Sequence, residues 1–169
     1  MRGPDLLLHS VLRGREAVEP QYLERLLAEL RWLEPLLINS TLGFAMAGAH
    51  EYQGNLTDAG RLYLHLRGTN GDYVGIEFDL ARSAFVRSNR SLREALFTVP
   101  FGLDAFLDDF LDVLSGRRQI WELCTAGTAQ WYDADRLASP VAFLYEVLSE
   151  QVRPDLARKL VRNGYGYGA

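Results

Sequence analysis

Residues 94–116 read EALFTVPFGLDAFLDDFLDVLSG, and the fold turns on how this stretch divides. Its first part, Glu94 to Phe101, reads as a short apolar strand. From Leu103 the apolar residues Leu103, Phe106, Leu107, Phe110, Leu111 and Leu114 recur at spacings of three and four, which is one face of an α-helix. Ser115-Gly116 is the stop signal. A short helix from Arg117 to about Thr125 follows, then Gly127 and an aromatic strand from Thr128 to Tyr132. Asp133 turns the chain into a long apolar helix through Val141, Leu144 and Leu148.

Upstream, the period changes to two. Leu62, Leu64 and Leu66 alternate with Tyr63, His65 and Arg67, the mark of a strand with one dry face. Asn70-Gly71 tolerates positive φ and supplies a hairpin turn. In the next strand Val74, Ile76, Phe78 and Leu80 point one way, and Gly75, Glu77 and Asp79 the other. Ala84 to Arg87 makes a third strand. The expectation is an α+β fold: an antiparallel meander sheet covered on one face by helices. His65, opposite the leucines, reads as a surface histidine.

Towards the N-terminus, Pro20 opens a helix through Leu23, Leu26, Leu27, Leu30 and Leu33 that ends or kinks at Pro35. Leu36 to His50 reads two ways: a helix packed closely through Gly43, Ala47 and Gly48, or a first strand after a turn at Asn39-Ser40. Periodicity does not arbitrate between them. Residues 1–19 carry a short helical pattern, Asp5 to Leu12, and Pro154 starts a last short helix to about Arg162. This gives an N-terminal helical extension over 1–55, an α+β domain over 56–163 and a disordered tail over 164–169.

A chain of 169 residues with 48% apolar and 24% charged residues can bury a sizeable core. Net charge is −4, and the basic residues, 17 arginines and Lys159, are spread along the sequence, Arg87, Arg90 and Arg93 being the tightest group. With no basic stripe, neither nucleic acid nor an anionic membrane surface is an expected partner. The N-terminal apolar run is too short for a signal peptide or a membrane span, so the chain is expected in the cytoplasm without stable membrane insertion. Cys124 is the only cysteine, which excludes an intramolecular disulfide and a C-x-x-C zinc site, and it reads as a small buried hydrophobe.

Little points to catalysis. Asp104, Asp108, Asp109 and Asp112 fall on the helix read from Leu103, where such carboxylates could hold a cation, but a solvated face explains them. His50-Glu51 is an adjacent pair whose side chains diverge on any regular element. No nucleophile elbow, P-loop or dinucleotide fingerprint occurs, and no metal or cofactor is expected. The aromatics say more: Phe97, Phe101, Phe106, Phe110, Trp121, Trp131, Tyr132, Phe143 and Tyr145 crowd into one span. They either fill a core or line an apolar cavity.

The order strand, helix, Gly116, short helix, Gly127, strand, acidic turn, helix resembles the C-terminal half of the sterol carrier protein 2 family. The matching pieces are Phe97-Thr98-Val99, Leu103 to Leu114, Gly116, Trp121 to Cys124, Gly127, Gln130 to Tyr132 and Asp133, within roughly residues 61–150. The resemblance implies a five-stranded antiparallel sheet with helices on one side. It also implies an apolar tunnel between the layers that takes up a hydrophobic small molecule, lipid-like or polycyclic. The residues expected to line it are Phe78, Phe97, Phe106, Phe110, Trp121, Trp131, Phe143 and Val147. The N-terminal extension and the Trp-Tyr strand depart from the family. Two other readings stand beside the carrier: an enzyme or cyclase acting on such a ligand, and an interaction module docking through the apolar C-terminal helix. A homodimer is compatible with either.

Overall fold

The computed structural model describes residues 20–52, 60–69, 71–114 and 117–133. Helix α1 (Pro20–Leu30) runs through a 3₁₀ turn (Arg31–Leu33) into α2 (Glu34–Ile38) and α3 (Thr41–Tyr52). Three strands follow, β1 (Arg61–Arg67), β2 (Tyr73–Asp79) and β3 (Ala84–Ser88), then helix α4 (Leu92–Thr98) and strand β4 (Phe101–Phe106). Helices α5 (Leu107–Leu114) and α6 (Ile120–Ala126) and strand β5 (Gln130–Asp133) complete the described chain. The expected helices through Val141 and after Pro154, the helical pattern before Pro20 and the tail lie outside the described residues.

The five strands form one sheet in the order β3-β2-β1-β4-β5. The meander holds as read: β1 pairs β2 and β2 pairs β3, both antiparallel. The sheet is mixed, however, rather than wholly antiparallel, because β4 lies parallel to β1 with Leu64 opposite Leu103. A parallel neighbour needs a crossover, and α4 is part of it.

Around this crossover the division of residues 94–106 departs from the sequence reading. Glu94 to Thr98 is helix, and Leu103 to Phe106 is strand. The helix is started by a capping box: the Ser91 side chain accepts from the Glu94 N–H at 3.2 Å, and the Glu94 carboxylate accepts from the Ser91 N–H at 2.8 Å. It stops where Pro100 disfavours helical geometry at Val99, which is extended at φ −115° and ψ 132°. The spacing that suggested a helix from Leu103 is real only from Leu107. Leu103 and Phe106, three apart, point to opposite faces of β4.

Residues 36–50 resolve as helix. Ser40 joins α2 to α3 by donating to the Leu37 carbonyl at 2.7 Å and accepting from the Gly43 N–H at 3.2 Å. A Cβ at Gly43 would strike the Leu37 and Ile38 carbonyls, so the close approach of these helices requires glycine there.

One core holds the layers together. Leu62, Leu64, Leu66, Ile76, Phe78, Phe101 and Leu103 on one face of the sheet meet Leu26, Leu30 and Leu37 from the N-terminal helices. Phe110, Leu111 and Leu114 of α5 and Leu123 of α6 join the same cluster. The helices of 20–52 therefore share the sheet's core. On the sheet's other face, Tyr63 packs against Ala95 and Val99 of α4 in a second, small cluster. Both faces of β1 are covered, which corrects the expectation of a single dry face. His65 is accordingly buried, at 8% exposure, not a surface histidine.

Candidate functional site

The residues expected to line a cavity divide between the two faces of the sheet. Phe78 and Phe110 are fully buried in the core on the leucine face. Trp131, opposite Leu103 on edge strand β5, packs against that core half-buried, with its ring stacked on Phe101 at 6.5 Å between centroids. Trp121 is on α6 at 45% exposure. Phe97 and Phe106 belong to the other side. Phe97 projects from α4 at 72% exposure, and Phe106 lies beside Arg67 at 37%, with the guanidinium 4.2 Å from its ring centre. Phe143 and Val147 lie outside the described residues. Phe78, Phe110 and Trp131 thus belong to one core, with Phe78 and Trp131 on strands separated by β1 and β4, and the remaining described members do not join it.

The leucine face is apolar from Phe85 at one edge to Trp131 at the other. Its helices are placed by their own sequence: α5 turns Leu107, Phe110, Leu111 and Leu114 onto the sheet by its three-and-four spacing. Gly127, at φ 78°, ends α6 in the left-handed conformation and aims the chain into β5. Trp131, on a short edge strand, is half-buried against this layer.

The opposite face carries a polar network that strand alternation alone does not reveal. Glu77 is buried, and its carboxylate sits 3.0 Å from Arg61 Nη1 and 2.6 Å from Arg90 Nε. A buried carboxylate is tolerated when paired in this way. Arg67 Nε lies 2.9 Å from Asp104, so Asp104 is a strand residue in an ion pair and not part of an acidic helix face. Tyr63 donates to the Arg90 carbonyl at 2.7 Å and meets His65 Nδ1 at 3.1 Å. His65 also stacks on Tyr73 at 4.5 Å.

Burial is the main cause holding the His65 pKa below its usual value; Asp104 opposes this and Arg67 reinforces it. Burial also pushes the Tyr63 and Tyr132 hydroxyls well above the usual tyrosine range, so both stay protonated. Two glycines make room for these rings. The Tyr132 ring occupies the space a Cβ at Gly102 would need, and the Tyr63 hydroxyl crowds the same space at Gly75. The Tyr132 hydroxyl is buried without a hydrogen-bond partner among the described residues.

Among the described residues, clefts open around this framework. One of about 190 Å³ lies where parallel β1 and β4 end, walled by Arg67, Gly68, Phe106 and the start of α5. A second, of about 320 Å³, runs along Tyr73, Gly75 and Ser88. The third, a shallow depression of about 530 Å³, adjoins α4 at Arg87, Asn89, Arg90 and Thr98.

Two of the remaining carboxylates of the expected acidic face are in ion pairs. Asp109 pairs with Arg118 at 3.0 Å and Asp112 with Arg117 at 3.8 Å. Among the described residues no group of histidine, cysteine and carboxylate side chains is arranged to hold a metal ion. Cys124 is half-buried against the core, and burial raises its thiol pKa. No helix among the described residues is long and apolar enough to cross a membrane.

No family model and no curated protein matches this sequence. Among solved structures, the chain is similar to sterol carrier protein 2 from Yarrowia lipolytica in its apo form. That match has 14% identity and a TM-score of 0.40, over 69% of this chain and 87% of the other. It is also similar to sterol carrier protein-2 like-3 from Aedes aegypti, at 11% identity and a TM-score of 0.38, over 57% of this chain and 86% of that one.

Proposed function

We propose that this chain binds a hydrophobic small molecule, lipid-like or polycyclic, non-covalently between the sheet and the helices on its leucine face. The observation that carries the reading is the placement of Trp131. Its ring extends an uninterrupted apolar layer to the sheet's edge, half-buried and stacked on Phe101. A ligand site of this kind is mostly apolar and aromatic, with few polar fixtures. The charged network is confined to the opposite face, so an apolar guest on the leucine face would displace no buried ion pair. The lining is Trp131 at the entrance with Phe110 and Phe78 inside. In this reading the protein acts as a cytoplasmic carrier of the guest.

Native mass spectrometry of the purified protein tests this. A protein that co-purifies with, or takes up, one apolar molecule per chain fits the proposal. A chain that stays bare after incubation with fatty-acyl, sterol and polycyclic compounds contradicts it, and a bare dimer would favour an interaction module.

A further inference from the structure

Arg87 and Trp131 stand at the two ends of one row of residues that crosses the whole sheet. Arg87 is opposite Ile76, Ile76 opposite Leu64, Leu64 opposite Leu103, and Leu103 opposite Trp131. Directly opposed residues share a face, so Arg87 belongs to the leucine face and not to the ionic network behind it. The three residues in the middle of the row are buried in the core. The row thus runs from a cation on edge strand β3, over three aliphatic side chains, to an indole on edge strand β5. Four inter-strand spacings separate its ends, roughly 19 Å.

The Arg87 end meets water. Arg87 is exposed, and among the described residues it forms no ion pair. It lines the cleft of about 320 Å³ together with Leu23, Val74, Ser88 and Asn89. Leu23 of α1 belongs to the buried core and Val74 packs against it, so the apolar layer reaches this cleft beside the positive charge. Asp72 also lines the cleft and already has a partner of its own.

Such a row is itself amphiphilic. An anion at Arg87 stays hydrated and gains a two-pronged partner, because the guanidinium fork matches a carboxylate or phosphate. A tail laid along Ile76, Leu64 and Leu103 leaves water without meeting a charge. The reverse orientation would set the anion against an indole, at the end of the row that holds no cation.

We infer that the guest is a single-chain amphiphile with an anionic head, its head held at Arg87 and its tail along Ile76, Leu64 and Leu103 toward Trp131. Arg87 is then the residue that determines specificity, and compounds without an anionic group are the poorer guests. The inference rests on the ligand reading given above and narrows it.

Isothermal titration calorimetry of the full chain with hexadecanoate and hexadecanol, which share a tail and differ in charge, tests it. Hexadecanoate should bind at one per chain and about tenfold more tightly than hexadecanol. Arg87→Gln should erase that preference by weakening hexadecanoate alone, and Arg87→Lys should restore part of it. Arg93→Gln, an exposed arginine on α4 behind the sheet, should change neither affinity, which separates a specific contact from general attraction to positive charge. Because Arg87 is exposed, the melting temperatures of its variants should match wild type. Orientation is read from Trp131 fluorescence after Trp32→Phe and Trp121→Phe: hexadecanoate brominated at its terminal carbon should quench more than the isomer brominated beside the carboxylate. Equal affinities for the two compounds, a preference that survives Arg87→Gln, or the reverse quenching order overturns the inference and leaves the leucine-face site standing. Binding of neither compound overturns it together with that site.

Discussion

The hydroxyl of Tyr63 and Nδ1 of His65 stand 3.1 Å apart, on side chains two residues apart on the central strand. Tyr63 has one hydroxyl proton, and it goes to the Arg90 carbonyl at 2.7 Å. The hydrogen between tyrosine and histidine must therefore sit on Nδ1, leaving Nε2 with its lone pair. This fixes a neutral imidazole in a single tautomer beneath the stacked ring of Tyr73.

A pH dependence follows. Burial lowers the His65 pKa in the folded state, so the unfolded chain takes up its proton first as pH falls. The stability His65 contributes is complete above about pH 6.5 and is lost as pH drops from there through the folded-state value. Melting temperatures between about pH 7.5 and 5 should fall less steeply in His65→Gln than in wild type. Parallel curves would contradict the buried, neutral assignment.

Gly102 makes a sharper test of the polar face. The Tyr132 ring fills the place of its side chain, so Gly102→Ala should destabilise the protein by about 1–3 kcal/mol through overpacking. Adding Tyr132→Ala should recover part of that loss, because the obstacle is gone. A Gly102→Ala variant as stable as wild type would show that the ring does not lie there.

Phe110 reports on the main core. It is fully buried at the contact of α5 with the sheet, so Phe110→Ala should cost about 3–5 kcal/mol, seen as a lower denaturation midpoint with little change in slope. An unchanged midpoint would mean that α5 does not pack on the sheet.

Much of this architecture is legible in the sequence because period two is a strong signal when one face is uniformly leucine. The Leu62-Leu64-Leu66 strand and the strand through Ile76 and Phe78 both stand where the alternation puts them, and Gly71 between them has φ 93°. What misled was residues 94–106, where Leu103, Phe106 and Leu107 mimic helical spacing across a strand–helix junction. The Ser91-x-x-Glu94 capping box was the available counter-signal. Alternation also said that Tyr63, His65 and Glu77 share a face, but not that α4 would cover it, since a crossover on the polar side is set by the parallel pairing of β1 and β4. For the candidate site, the aromatic span held Phe110 and Trp131, which share one core with Phe78. It could not separate them from Phe97 and Phe106, because the face each ring takes depends on where strand β4 begins.

The most direct test of the central claim reads Trp131 alone. The chain has three tryptophans, so Trp32→Phe combined with Trp121→Phe leaves one indole, the one at the edge of the leucine face. Titration with fatty-acyl, sterol and polycyclic aromatic compounds should change its fluorescence saturably, at a stoichiometry near one per chain. Phe110→Leu, which alters the interior with little loss of volume, should shift the affinity. If no compound in the panel gives a saturable change, no guest reaches that layer, and the apolar face of the sheet is only core.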